Sequence, residues 1–88
     1  MLKIYKYDLE PTEFQTLKLP AGSQVLTVQE QKGHPKLWAI VDIEETQNEE
    51  RKFYILGAGN TMPCDNCKYV SSFQLCDGQL IFHVFEKL

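Results

Sequence analysis

Apolar and polar side chains alternate with a period of two through most of this 88-residue chain, which constrains the fold strongly. A period of two places successive side chains on opposite faces of a strand, whereas an amphipathic helix needs a period near 3.6. The alternating runs are residues 3–7, 15–19, 25–30, 37–41, 51–56, 69–75 and 80–85. We therefore predict an all-β protein, a small antiparallel sandwich or barrel of about six to seven short strands.

Turn residues separate these runs and predict two hairpins. Gly33 lies in the short polar segment 31–35 and can adopt a positive φ, and Asp77-Gly78 lies between the last two runs. We allow at most one helical turn, near residues 64–68. No linker or internal repeat interrupts the chain, so we predict a single β-rich domain over residues 1–88.

The charge balance limits the classes of partner. Nine Lys and Arg residues against twelve Asp and Glu residues give a net charge of -3, which generates no field toward phosphate backbones or anionic lipid. We expect no membrane partner. The charge balance disfavours nucleic acid as a partner, and a local basic groove is the one arrangement that would still bind it. The first residues lack the apolar run of a signal peptide, so we expect a cytoplasmic protein in which the three cysteines stay reduced.

The glycine-rich residues 57–61, called the glycine segment below, are the best local candidate for a ligand site. This segment lacks the third glycine of a dinucleotide fingerprint and the Gly-Lys-Ser/Thr of a P-loop, but successive backbone N–H groups can still form an anion nest. A plain bend between strand and loop is the alternative. Nearby donors and two aromatic rings that could stack on a base complete the predicted ligand-binding set: Gly57, Gly59, Asn60, Thr61, Lys68, Tyr69 and Trp38. For Trp38, the alternative is an anchor in the core or an interface.

The cysteines and histidines do not assemble a predicted metal site. Cys64 and Cys67 have the spacing of half a zinc site, and Cys76 with His83 or His34 would have to complete it. No second cysteine pair is present, and Cys76 lies a full predicted strand away from Cys67. We predict no metal and no cofactor, and interpret the pair as two separate thiols in a loop.

No motif in the chain names a reaction. The Gly-x-Ser-x-Gly motif of a nucleophilic serine is absent. The glutamates of residues 44–50 lie in a polar run whose composition is that of a solvated loop. His83, on an aromatic strand, has the context of a hydrogen-bonded core or interface residue. We therefore predict a binding protein and not an enzyme.

The last run is apolar on both sides. Leu80, Phe82 and Val84 alternate with Ile81 and Phe85, so both faces of this strand require a cover. One cover is the rest of the protein, and the other is a second sheet or a neighbouring subunit. We accordingly expect a homo-oligomer.

Several ordered segments together resemble a known family. They are Leu19-Pro20-Ala21-Gly22, Val25-Leu26-Thr27-Val28, Gln31, Gly33, Leu37-Trp38-Ala39, Val41-Asp42, Gly57-Ala58-Gly59 and Phe82-His83-Val84-Phe85-Glu86. Over nearly its whole length, the chain resembles a family of small bacteriophage- and prophage-encoded proteins catalogued as a domain of unknown function. It departs from that pattern in its cysteine pair and at Asn60, where a histidine is expected, which argues against a histidine-dependent reaction common to the family.

The resemblance implies a role without a mechanism. Compact phage proteins of this kind commonly counter host antiviral defence stoichiometrically, by sequestering a nucleotide-like immune signal or by occluding a host effector protein. The implied location is the host bacterial cytoplasm. The alternative is an accessory virion or assembly protein that acts through oligomeric β contacts. Fold and neighbourhood alone do not establish either function.

Overall fold

The computed structural model describes all of residues 1–88, which form seven β-strands and no helix. The strands are β1 (Leu2–Asp8), β2 (Phe14–Pro20), β3 (Gln24–Gln31), β4 (His34–Asp42), β5 (Asn48–Gly57), β6 (Cys67–Leu75) and β7 (Leu80–Lys87). Each predicted run lies within one of these strands, so the all-β prediction is confirmed. The helical turn allowed near residues 64–68 is absent, because β6 already begins at Cys67. The chain contains no helix long and apolar enough to cross a membrane.

The strands form two antiparallel sheets packed as a sandwich. The three-stranded sheet has the order β1-β4-β3, and the four-stranded sheet has the order β2-β5-β7-β6. Alternate residues of both sheets face inward and build one apolar core, as the period of two requires. The core consists of Leu9, Val28, Leu37, Ala39, Val41, Phe53, Ile55, Phe73 and Val84.

Local turn chemistry closes both predicted hairpins. Lys32 and Gly33 have φ values of 53° and 85° and join β3 to β4 in a two-residue turn, whose left-handed backbone matches the twist of the strands. Asp77 and Gly78 also have positive φ between β6 and β7, where the N–H of Gln79 donates to the carbonyl of Cys76. Both hairpin predictions are confirmed.

A side-chain clasp joins the two sheets along one side of the sandwich. The hydroxyl of Ser71, on β6, accepts a hydrogen bond from the N–H of Val28 and donates one to its carbonyl, both at 2.8 Å. The register of the β6–β7 pairing shifts between Tyr69 and Ser71. The clasp therefore holds the edge of the four-stranded sheet against the edge strand β3.

The cysteine pair differs from the sequence expectation. Cys64 and Cys67 form a disulfide, so the interpretation as two separate thiols is wrong, and so is the expectation that all three cysteines stay reduced. The bend over residues 65–66 brings their Cα atoms to 6.5 Å, a distance that a disulfide spans. Cys76 is the remaining free thiol and is exposed. No group of three or more His, Cys, Asp or Glu side chains is arranged to hold a metal ion.

Candidate functional site: an aromatic row on the four-stranded sheet

Four aromatic side chains line up across the outer face of the four-stranded sheet, one from each strand. The register pairs Phe14 with Tyr54, Tyr54 with Phe85, and Phe85 with Tyr69. Residues paired in this way share a face of the sheet, and Phe53, the residue before Tyr54, is fully buried in the core. The four rings therefore point away from the core. We call these four residues the aromatic row.

The rings of the aromatic row form two pairs. The centroids of Phe14 and Tyr54 are 4.9 Å apart with the rings tilted by 48°, and those of Phe85 and Tyr69 are 5.3 Å apart in an edge-on arrangement. Phe14 and Tyr69, at the two sides of the sheet, are 45% and 51% exposed. The hydroxyl of Tyr69 also lies 3.3 Å from Nδ1 of His83. The row thus presents accessible aromatic surface to which a planar ligand can bind.

Two lysines lie beside the aromatic row on the same outer face. Lys52 is two residues from Tyr54, Lys87 is two residues from Phe85, and the two lysines pair with each other across the strands. Neither makes a salt bridge. The other outward charges in this sheet are Lys18 and Glu50, which gives three lysines and one glutamate. This face is locally positive in a chain of net charge -3.

A partly buried ion pair lies on the opposite, inner face. The guanidinium of Arg51 contacts both carboxylate oxygens of Glu86, with Nη2 to Oε1 at 3.0 Å, and its Nη1 donates to the carbonyl of Ser23 at 2.7 Å. Glu86 is only 6% exposed. Its hydrogen bond with Arg51 raises the pKa of the guanidinium. Arg51 and Glu86 are the chain neighbours of Lys52 and Lys87, so each charge of the pair is neutralised by the other on the face opposite the two lysines.

A family model described as a domain of unknown function (DUF7352) matches residues 1–88. The chain belongs to this family. No curated protein and no solved structure matches the chain. The candidate site of this DUF7352 member is therefore defined from its own side chains.

The glycine segment of the DUF7352 member forms a compact turn. Gly57 is the last residue of β5, and the N–H of Asn60 donates to its carbonyl at 3.2 Å. Gly59 has a φ of 90°, a backbone conformation that residues other than glycine rarely adopt. Asn60 and Thr61 are exposed beside it. This geometry fits the alternative of a strand-to-loop bend, and ligand contact there stays a prediction.

The other predicted site residues lie elsewhere. Gly57 is level with Phe73 of β6 across β7, and Lys68 precedes Phe73 by five residues, about 16 Å at the rise of a strand. Lys68 shares a shallow cleft with Arg51 and Tyr69 instead. Trp38 lies on the outer face of the other sheet, between Lys6 and Thr27. The structure therefore does not bring the predicted set together: Tyr69 belongs to the aromatic row, and Lys68 and Trp38 are separate from the glycine segment.

Sequence reasoning missed most of the aromatic row and both lysines. The available signal was the two-faced last strand, in which Phe85 pointed away from the face of Val84. Tyr54 lies in a strand 31 positions earlier, and only the pairing of β5 with β7 places it beside Phe85. The signal thus identified an outward apolar residue but not its neighbours.

Proposed function

We propose that this protein acts by stoichiometric binding and captures a nucleotide-like ligand on the aromatic row. The observation that carries the proposal is the alignment of four outward rings with two lysines that have no acidic partner. Aromatic faces stack on nucleobases, and lysine ammonium groups bind phosphate as point charges. Such a site needs shape and charge but no general base.

The family resemblance supports a biological role for this binding. We propose that the protein is encoded by phages and acts in the host bacterial cytoplasm, where it removes a nucleotide signal that activates antiviral defence. Capture in a one-to-one ratio suffices for that role if the protein is abundant. Binding does not change the ligand chemically, so the ligand that the protein releases is the same molecule that it bound.

The test is to recover the ligand from protein purified from infected bacteria in which a nucleotide-signalled defence system is active. We expect heat denaturation to release a nucleotide of unaltered mass, detected by mass spectrometry, and the same nucleotide to raise the melting temperature of empty protein. Tyr69→Ala is the matched variant, because this exposed ring can be removed without opening the core, and it should retain less ligand. Empty protein with no thermal shift across a nucleotide panel contradicts the proposal.

A second candidate is an assembly role in the virion, and exposed apolar residues favour it. Leu80 and Ile81, at the β6–β7 hairpin, are 46% and 49% exposed, and Ile4 on the three-stranded sheet is 62% exposed. We propose that such residues mediate contacts in a homo-oligomer. Sedimentation measures the oligomeric state, and stoichiometric copies of the protein in purified particles favour assembly over signal capture. If the protein blocks host defence but contains no nucleotide, the result instead indicates occlusion of a host effector.

A further inference from the structure

We infer that the ligand of the aromatic row is a short single-stranded oligonucleotide that places two of its bases on the row and two of its phosphates on Lys52 and Lys87. This inference rests on the proposed function and specifies its ligand class. It follows from the division of the row into two ring pairs, each with its own lysine.

The two ring pairs provide two stacking positions. One pair spans β2 and β5, the other spans β7 and β6, and strand spacing separates their centres by about 10 Å. Because the rings within each pair are inclined to one another, a single base stacks on one ring of one pair and leaves the other pair in water. Four-stranded sheets with outward aromatic residues stack two or three successive bases in other single-strand-binding domains. The row therefore matches two bases better than one.

The lysines point independently to an anion. Lys52 and Lys87 are direct cross-strand partners, and like charges in that position destabilise a sheet. Neither lysine has a salt-bridge partner in the protein that would offset this repulsion. A bound phosphate beside each ammonium group reverses the sign of the local interaction. The repulsive pair is thus explained by a ligand that carries two negative charges.

The charge distribution also limits the length and form of the ligand. The net charge of -3 repels a long polyanion, while the outer face offers only three lysines. In a duplex the faces of the bases are stacked on each other and unavailable to the rings. A second copy of this chain on the same face would bring another locally positive surface against the first. A short single strand satisfies both the rings and the charges.

The experiment compares 5′-phosphorylated diadenosine with adenosine monophosphate by calorimetric titration of the full chain. We expect the dinucleotide, which has two bases and two phosphates, to bind at least ~10-fold more tightly, as a second stack predicts. The logarithm of its affinity should fall with the logarithm of salt concentration with a slope of about -1.4, the value for two phosphates of a single strand.

Single substitutions show which side chains contact the bases and which contact the phosphates. Tyr54→Ala and Phe85→Ala should each weaken dinucleotide binding by about 5- to 150-fold, the range for loss of one base–aromatic stack, whereas Tyr54→Phe should retain it. Lys52→Ala and Lys87→Ala should each reduce the salt slope by about 0.7. Ile4→Ala and Lys6→Ala, on the outer face of the three-stranded sheet, are the matched controls and should bind as the parent does.

The outcomes separate this inference from the proposed function. Equal affinity for the mononucleotide and the dinucleotide overturns the two-base inference and leaves nucleotide capture standing. Binding of neither, by folded protein, overturns both. A dimer that Phe85→Ala dissociates, without nucleotide binding, identifies the row as an interface between copies and also overturns both. Tyr54→Phe and the lysine variants keep the test decisive if an alanine variant of the row fails to fold.

Discussion

The outer faces of the two sheets differ in how their charges are arranged. On the three-stranded sheet, Lys36 forms an ion pair with its cross-strand partner Asp8, and Lys6 donates to Gln31 at 2.8 Å. On the four-stranded sheet, Lys52 lies opposite Lys87. One face satisfies its charges internally, whereas the other sets two like charges side by side. A chain with a net charge of -3 thus has a locally positive outer face on its four-stranded sheet.

The aromatic residues of the two faces differ in the same direction. Trp38 is the single aromatic residue of its register row, where its partners are Lys6 and Thr27. The aromatic row instead has one ring from each of four strands. One outer face therefore has an isolated ring, whereas the other has two ring pairs side by side.

Removing a side chain from the shared core should destabilise both sheets. Phe53→Ala deletes a fully buried ring between the sheets and should lower the free energy of unfolding by about 3–5 kcal/mol. Urea unfolding followed by tryptophan fluorescence measures the loss. Phe14→Ala, on the exposed side of the same sheet, is the control and should cost less than about 1 kcal/mol because little cavity forms. Equal effects of the two variants would mean that the faces are not distinguished by burial.

Breaking the inner ion pair should cost somewhat less. Glu86→Gln leaves Arg51 partly buried without its counter-charge, and we expect a loss of about 3 kcal/mol. Because the hydrogen bond with Glu86 raises the pKa of Arg51, this contribution is lost only as the pH rises through the folded pKa of the guanidinium, far above the range from pH 6 to pH 9. Urea midpoints from pH 6 to pH 9 should therefore show a constant deficit. Glu49→Gln, at an exposed partner of Arg51, should change stability by less than about 1 kcal/mol.

Converting one face to the charge arrangement of the other is the sharpest comparison. Lys52→Glu places a carboxylate opposite Lys87 and should raise the free energy of unfolding by about 0.2–1 kcal/mol, because a like-charge pair becomes an opposite-charge pair. The same change should weaken binding of the phosphorylated dinucleotide by more than ~10-fold, since one phosphate then meets a negative charge. Thermal melting and calorimetric titration measure the two effects. Lys6→Glu is the control for binding, and a stability loss in Lys52→Glu contradicts the repulsion argument.

The smallest effect concerns acid. A hydrogen bond and ion pair with Lys36 lower the pKa of Asp8, and the backbone N–H of Glu44 lowers that of Asp42. A lowered folded pKa stabilises the protein above the ordinary aspartate pKa, near 4, and the stabilisation is lost as the pH falls through the folded value. Asp8→Asn should remove a small part of the acid sensitivity. Carboxyl chemical shifts measured from pH 2 to pH 6 check both pKa values, and ordinary values would contradict the paired arrangement of this face.

Local signals in the sequence were sufficient for the strands and the hairpins. Lys32-Gly33 and Asp77-Gly78 specify turns within a few residues, so the chain near them determines its own pairing. The disulfide was missed because the spacing of Cys64 and Cys67 fits a free pair, a metal knuckle or a disulfide equally well. Only the bend between them selects the bond.

The sequence by itself determined an all-β chain with two hairpins, because alternation and turn residues act over neighbouring positions. The pairings between strands distant in the chain, such as β5 beside β7 and β2 beside β5, became known only from the three-dimensional structure. Those pairings are non-local, and they align Phe14, Tyr54, Phe85 and Tyr69 while separating Lys68 from the glycine segment. The physical reason is that alternation fixes the face on which a side chain lies, whereas its neighbours across the sheet depend on register, and register between distant strands is set by packing of the shared core.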